Sequence, residues 1–236
     1  MARRRIYILS DGQNEGISSG HVPLGRERIL GTALEVLNEV GLKELSMKKI
    51  ADKLQVKTAS LYYHVKDKEE LIQLLSDRIS RGMVWPERSL DWEEQIVQWA
   101  EQFRQVLLSH RDAVELFKQT IARGMDRLTQ IEKLYELLVS AGFADSHIPW
   151  TASLLKNYVL GFVAEHVQLM AIASGQFTSS EEMSEQYEQF YRQLPEEKFP
   201  NMIRLAPYTT RPDWEKEFQF GLRVLIDGLA DKRKQK

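Results

Sequence analysis

Leu45-Ser-Met-Lys-Lys-Ile-Ala-Asp-Lys-Leu-Gln-Val-Lys-Thr-Ala-Ser-Leu-Tyr-Tyr-His-Val-Lys-Asp-Lys-Glu-Glu-Leu71 is the stretch from which the rest of the chain is read. Ser46 is a good N-cap for a short helix carrying Ile50, Ala51 and Leu54 on one face. A second short helix is expected from Thr58 to His64, and a third opens at Asp67 with Glu70 three residues on, an acidic capping box. Two short helices joined by a tight turn make a helix-turn-helix. Ile50, Ala51, Leu54, Val56 and Leu61 are spaced to pack its two arms together, Ala51 being small where they approach. Thr58, Ser60, Tyr62, Tyr63 and His64, with Lys48 and Lys68, are left pointing outward. Short hydroxyls reach base edges or phosphates, tyrosines donate to phosphate while packing on sugar or thymine methyl, and lysines neutralise phosphates. The competing reading is a surface helix whose aromatics belong to a hydrophobic interface.

The flanks continue the helical pattern. Upstream, Ile29, Ala33, Val36, Leu37 and Val40 share one face of a helix expected from about Gly25 to Val40, which Gly41 stops. Residues 1–22 are polar, contain Gly and Ser and lack periodicity, so a flexible arm is expected there. Downstream, Asp91 and Asp112 are expected to cap helices, and Leu128, Ile131, Leu134, Tyr135 and Leu138 line another that ends at Gly142. Each of the seven prolines (23, 86, 149, 195, 200, 207, 212) is read as falling between helices. Residues 174–212 hold four of them and are expected to form a long connection with one short helix near Ser180 to Arg192. The fold class that follows is all-α, with a helix-turn-helix domain at 23–70 and a larger helical domain at 71–236. The helix from Asp67 to Gly82 is expected to be the only direct link between the two. Two segments of the larger domain, 150–173 and 214–229, are too apolar to be covered by one chain; pairing with a two-fold mate as a four-helix bundle, hence a homodimer, is expected.

Composition narrows the function. Hydrophobic residues are 43% and charged residues 28% of 236, the balance of a soluble globular chain, and no uninterrupted apolar run approaches the ~18 residues of a membrane helix. The start, with only Ile6 to Leu9 apolar after three arginines, is far short of a signal peptide; export and membrane attachment are not expected, and a cytoplasmic location is. The absence of cysteine excludes disulfides, thiolate metal sites and a Cys nucleophile. The net charge of −2 hides a split: residues 1–68 carry +4 and the remaining 168 carry −6, as expected of a nucleic-acid-facing head on an acidic body. There is no P-loop, Gly-x-Ser-x-Gly, His-Glu-x-x-His or Gly-rich dinucleotide turn, and His21, His64, His110, His147 and His166 are scattered, so neither an enzyme nor a metal centre is expected.

The pattern Ile50-Ala-x-x-Leu-x-Val-x-x-x-x-Leu-Tyr-x-His64 followed by Lys68 resembles the DNA-binding signature of the TetR family of transcriptional regulators. Residues 102–112, 158–165 and 218–229 are similar to the tetracycline repressors within that family, so the resemblance spans roughly 25 to 230. It implies contacts to double-stranded operator DNA by Lys48, Thr58, Ala59, Ser60, Tyr62, Tyr63, His64 and Lys68, and a small-molecule effector site in the body. Gln55 departs from the pattern: a glycine is usual there, so either a left-handed glutamine or a changed turn is expected. In the effector site the resemblance places Phe117 where those repressors have a metal-binding histidine, and Trp99, Leu134 and Asn157 where they have other drug-binding polar residues, while Phe103 and Glu165 are kept. Apolar surface in place of polar chelation implies a hydrophobic or aromatic effector with no metal and no cofactor, with Glu165 orienting a polar or cationic end. The competing reading is that Trp99, Phe103, Phe117 and Leu134 merely fill the core. A repressor released by its effector is the reading preferred; the alternative is an all-α ligand-binding protein or enzyme with a vestigial helix-turn-helix.

Overall fold

The computed structural model describes residues 24–234. The expected flexible arm lies outside the described residues. Eleven helices and no strand are found among those described: α1 (Arg26–Glu44), α2 (Met47–Leu54), α3 (Thr58–Leu61), α4 (Lys68–Ser80), α5 (Trp92–Leu108), α6 (Ala113–Gln119), α7 (Met125–Ser140), α8 (Ile148–Gln176), α9 (Ser180–Arg192), α10 (Pro200–Thr209) and α11 (Trp214–Lys234).

The first four helices make the head. Ile29, Ala33 and Leu37 of α1, Ile50 and Ala51 of α2, Leu61 of α3 and Leu71 and Leu75 of α4 are completely buried together. Ser46 accepts from the Lys49 amide at 3.3 Å and Asp67 from the Glu70 amide at 2.8 Å, so both expected N-caps are made. Glu70 reaches back one residue further than a standard capping box, to the Lys66 amide at 2.6 Å. Gly41 interrupts α1 where expected, with φ +79°; the chain then makes one more helical turn to Glu44.

The body is built around α5 and α8, with α7 and α11 against them and α4 running from the head into it. Two helices depart from the sequence reading. The expected helix near 180–192 is α9, but the connection also contains α10, and Pro207 lies inside it. Pro207 is exposed and in the last turn, where it forgoes one intrahelical bond and water can serve the freed carbonyl. α8 runs on to Gln176, and it is long and apolar enough, by length and composition, to cross a membrane. Lys156, Glu165 and His166 break its apolar run and hid that property from the sequence. Only 22% of its most apolar window is buried within the chain, and Trp150, 69% exposed, and Phe220 of α11, 74% exposed, are large apolar groups left uncovered.

The side chain of Asp112, expected to cap a helix, does not. At φ +57° its carboxylate turns away from α6 and accepts from the Leu42 amide of the head at 2.7 Å.

Candidate nucleic-acid interface and ligand cavity

The turn between α2 and α3 takes the first of the two forms expected of it. Gln55 is left-handed, φ +58° and ψ +40°, and its amide and that of Val56 return to the carbonyls of Asp52 and Ala51 at 3.1 and 3.0 Å. This is a Schellman closure with glutamine where glycine is the least strained choice. The last residues of the expected second helix, Tyr62 to His64, are a turn continuing from α3, held by the His64 and Val65 amides on the Leu61 carbonyl. Arg26 of α1 donates to the His64 carbonyl at 3.0 Å and pairs with Glu70 at 3.1 Å, fixing the end of that turn against the rest of the head.

On the outer side of this unit Lys48, Ala59, Tyr62 and Tyr63 are exposed, and Thr58, Ser60 and His64 are half-buried. Tyr63 is 89% and Tyr62 51% accessible among the described residues, a large aromatic surface open to solvent. Lys68 also lies on the surface, at the start of α4, but its ammonium is within 3.4 Å of the Leu42 carbonyl, so it has an internal partner. The residues singled out from the sequence therefore all have at least part of their side chain at the surface of the head.

In the body a cavity of about 270 Å³ lies among α5, α6, α7 and α8, closed at one end by Ser80 and Met83 at the foot of α4. Trp99, Phe103, Phe117 and Leu134 line it. Trp99 and Phe103 have ring centroids 5.7 Å apart, and Phe103 and Phe117 5.5 Å, an aromatic wall along one side. Asn157 and Glu165 do not line it: both are exposed, and the residues of α8 that reach the cavity are Pro149, Ala152, Ser153 and Lys156, a stripe from which Glu165 is turned by roughly half a turn and beyond whose edge Asn157 lies. Glu165, expected to orient a ligand's cationic end, stands outside this cavity.

Sequence reading missed the polar part of the wall. Arg127 and Gln130 of α7 face in, with Tyr135 and Lys156. Arg127 lies 4.6 Å over the Phe117 ring, donates to the Thr120 hydroxyl at 2.6 Å, and its amide donates to the Asp77 carboxylate at 2.7 Å. Burial pulls its guanidinium below the ordinary arginine value, the Asp77 charge partly offsetting this; arginine stays protonated all the same. The one signal available beforehand was Lys156, a single cation in an otherwise apolar stretch of α8. Among the described residues no group of three or more His, Asp or Glu is placed to hold a metal ion, and Phe117 offers no ligating atom.

Head and cavity are joined twice. α4 passes from the head to the cavity floor, fastened to both sides by Glu27 of α1, which accepts from Arg78 and from Arg81 at 3.4 Å, and by Arg81 with Asp126 of α7 at 2.9 Å. The hydrogen bond from Arg78 is the main reason the Glu27 carboxyl is held below the usual carboxylate range. α6 is the second link. Phe117 at its far end lines the cavity, while ahead of it Asp112 holds the Leu42 amide and Arg111 donates to the Glu39 carbonyl at 2.9 Å and, through its amide, to the Asn38 side chain at 3.0 Å.

Two family models divide the chain along the same line. Residues 29–75 match the bacterial regulatory proteins of the tetR family, and residues 85–233 match the tetracyclin repressor-like C-terminal domain. The chain belongs to the TetR family. Members similar to it include an HTH-type transcriptional regulator of Saccharopolyspora erythraea, 30% identical over 209 residues that cover 88% of this chain and 85% of the relative. The HTH-type transcriptional repressor DrrR1 of Streptomyces coeruleorubidus is 26% identical over 96% of this chain and 84% of its own. Among solved TetR structures, ActR of Streptomyces coelicolor in complex with actinorhodin superposes with a TM-score of 0.79 at 30% identity, over 88% of this chain and 96% of ActR. A TetR-family head and body are thus both present, the helix-turn-helix domain in the first and the C-terminal helical domain in the second.

Proposed function

We propose that this chain is a homodimeric, cytoplasmic transcriptional repressor that holds a palindromic operator through two copies of residues 58–64 and releases it when a hydrophobic or aromatic small molecule enters the body cavity. In this reading residues 23–70 read DNA and residues 71–236 bind the effector and the second subunit. Lys48, Thr58, Ala59, Ser60, Tyr62, Tyr63, His64 and Lys68 face the duplex, and Trp99, Phe103, Phe117 and Leu134 face the effector. Asn157 and Glu165 have no part in the effector site.

The observation that carries the proposal is the double connection between cavity and head. The sequence suggests α4 as the only direct link, whereas Asp112 and Arg111 also tie the start of α6 to the end of α1. A ligand pressing on Phe117 and on Ser80 or Met83 acts on both supports at once. Regulation requires the ligand to prefer one arrangement of the heads over the other; taking operator occupancy from mostly bound to mostly free needs roughly 5.5 kcal/mol of differential binding. Two ligands per dimer share that demand. Similarity to DrrR1, named as a repressor, and to ActR, crystallised with actinorhodin, supports the sign of regulation and a ligand in the body.

The test is release of labelled operator DNA across a panel of aromatic compounds, with tetracycline plus magnesium as control. Release by one or more metal-free aromatic compounds is expected. Release by tetracycline only when magnesium is present would overturn the metal-free effector.

A further inference from the structure

The cavity has two basic residues in its wall, Arg127 and Lys156, and no acidic one; every other lining group is neutral. Lys156 is half-buried and, among the described residues, makes no hydrogen bond and no ion pair. Arg127 has no carboxylate in direct contact with its guanidinium: its partners are the Thr120 hydroxyl and carbonyl, the Phe117 carbonyl and the Phe117 ring, and the Asp77 oxygen near it is taken by its own backbone amide. A purely filled apolar core gains nothing from a cation such as Lys156 turned toward it, since partly desolvated charge without a counter-charge is unfavourable, and Arg127 adds a second positive charge that Asp77 offsets only in part. Aromatic rings together with positive charge and no negative charge in the lining describe the complement of a particular kind of molecule.

We propose that the cavity takes a planar aromatic acid, its rings against Trp99, Phe103 and Phe117 and its carboxylate met by the Lys156 ammonium, with the Arg127 guanidinium as a second, fixed source of positive charge. The inference rests on the reading of this cavity as the effector site and adds the charge of the ligand to it. It also reverses the sign suggested by Glu165, which stands outside the cavity. Lys156, at the wall with all its donors free, supplies the adjustable partner; Arg127, held by Thr120 and stacked on Phe117, is already oriented and cannot follow the ligand.

The test compares two near-isosteric probes, anthraquinone-2-carboxylate and anthraquinone-2-carboxamide, by isothermal titration calorimetry on the full chain. The carboxylate is expected to bind at least ~10-fold more tightly than the amide, as a charge-assisted contact replaces a neutral one. Lys156→Met should lower that ratio severalfold, to the smaller preference that Arg127 alone sustains, while leaving the amide's affinity within about threefold, and Lys156→Arg should retain the full preference. Both replace a half-buried surface side chain, and circular dichroism checks that they fold. Equal affinities in the unaltered chain, or an unchanged ratio in Lys156→Met, would overturn the inference while leaving the cavity as the binding site. Ser153→Trp, which narrows the cavity from its exposed side, separates the other failure: if both probes bind it as before, or if neither binds the unaltered chain, the cavity reading falls and the inference with it.

Discussion

Gln55 shows how a single backbone angle is legible in sequence and what it costs. A side chain at φ +58° is strained where glycine is not, and the two hydrogen bonds of the Schellman closure hold it there. Gln55→Gly is therefore expected to raise the urea midpoint, stabilising the chain by about 1 kcal/mol; a lower midpoint would mean that the glutamine side chain contributes more than its backbone strain takes away. Asp112 is legible only as an acidic residue ahead of a helix, the usual position of a cap. Nothing in the local sequence says that its carboxylate is used 70 residues away, because long-range hydrogen bonds leave no periodic trace. Asp112→Ala strips the partner from the Leu42 amide and is expected to cost about 1–3 kcal/mol in denaturant unfolding. Its second consequence belongs to the switch: the operator should then respond less to effector at equal cavity occupancy. Gly41, whose added Cβ would come within 2.9 Å of the Asp112 carboxylate in a backbone region that L side chains rarely adopt, is strained by any other residue.

Elements repeat the lesson at larger spacing. α2, α3 and the start of α4 are readable because caps, a turn and a hydrophobic face all fall between Leu45 and Leu71, and α9 because Ser179 and Glu182 mark its start. α10 is hidden by its prolines: Pro200 begins it, where a helix accepts one, and Pro207 sits in its last turn at the cost of one backbone hydrogen bond. Asn157 and Glu165 are carried over from the resemblance and stand outside the cavity, and α8, apolar on several faces, has no pattern that says which face turns to it. On the reading element, the outward side chains carry separable tasks. Lys48→Ala is expected to weaken binding to operator and random DNA alike and to lower the salt slope by about one for each phosphate no longer neutralised per subunit. Thr58→Ala or Tyr62→Ala should cost more on operator than on random DNA, and Tyr63→Ala should weaken DNA binding while changing unfolding stability by less than about 0.5 kcal/mol, given its exposure. Equal losses on both DNAs for Thr58→Ala and Tyr62→Ala would assign base readout elsewhere.

For the whole molecule, the uncovered apolar faces of α8 and α11 make a prediction about association. Trp150, Leu154, Val167 and Met170 on α8 and Phe220 and Val224 on α11 are exposed in the single chain, too much apolar surface to leave wet beside a closed core. A two-fold dimer at micromolar concentration is expected by light scattering, and charged substitution at Phe220 and Val224 together should shift it toward monomer; a monomeric unaltered chain would contradict the four-helix bundle. Dimerisation in turn sets the spacing of the two heads, about 34–36 Å or a multiple for successive major grooves, and so demands a palindrome. The central claim is that this assembly recognises a specific sequence, and fluorescence anisotropy on duplexes tiled across the DNA upstream of its own coding region tests it most directly. The account predicts one palindromic duplex bound by two chains at least ~10³-fold more tightly than random DNA at physiological salt. Uniform, weak binding to every duplex would contradict it and favour a ligand-binding body carrying a helix-turn-helix that no longer reads DNA.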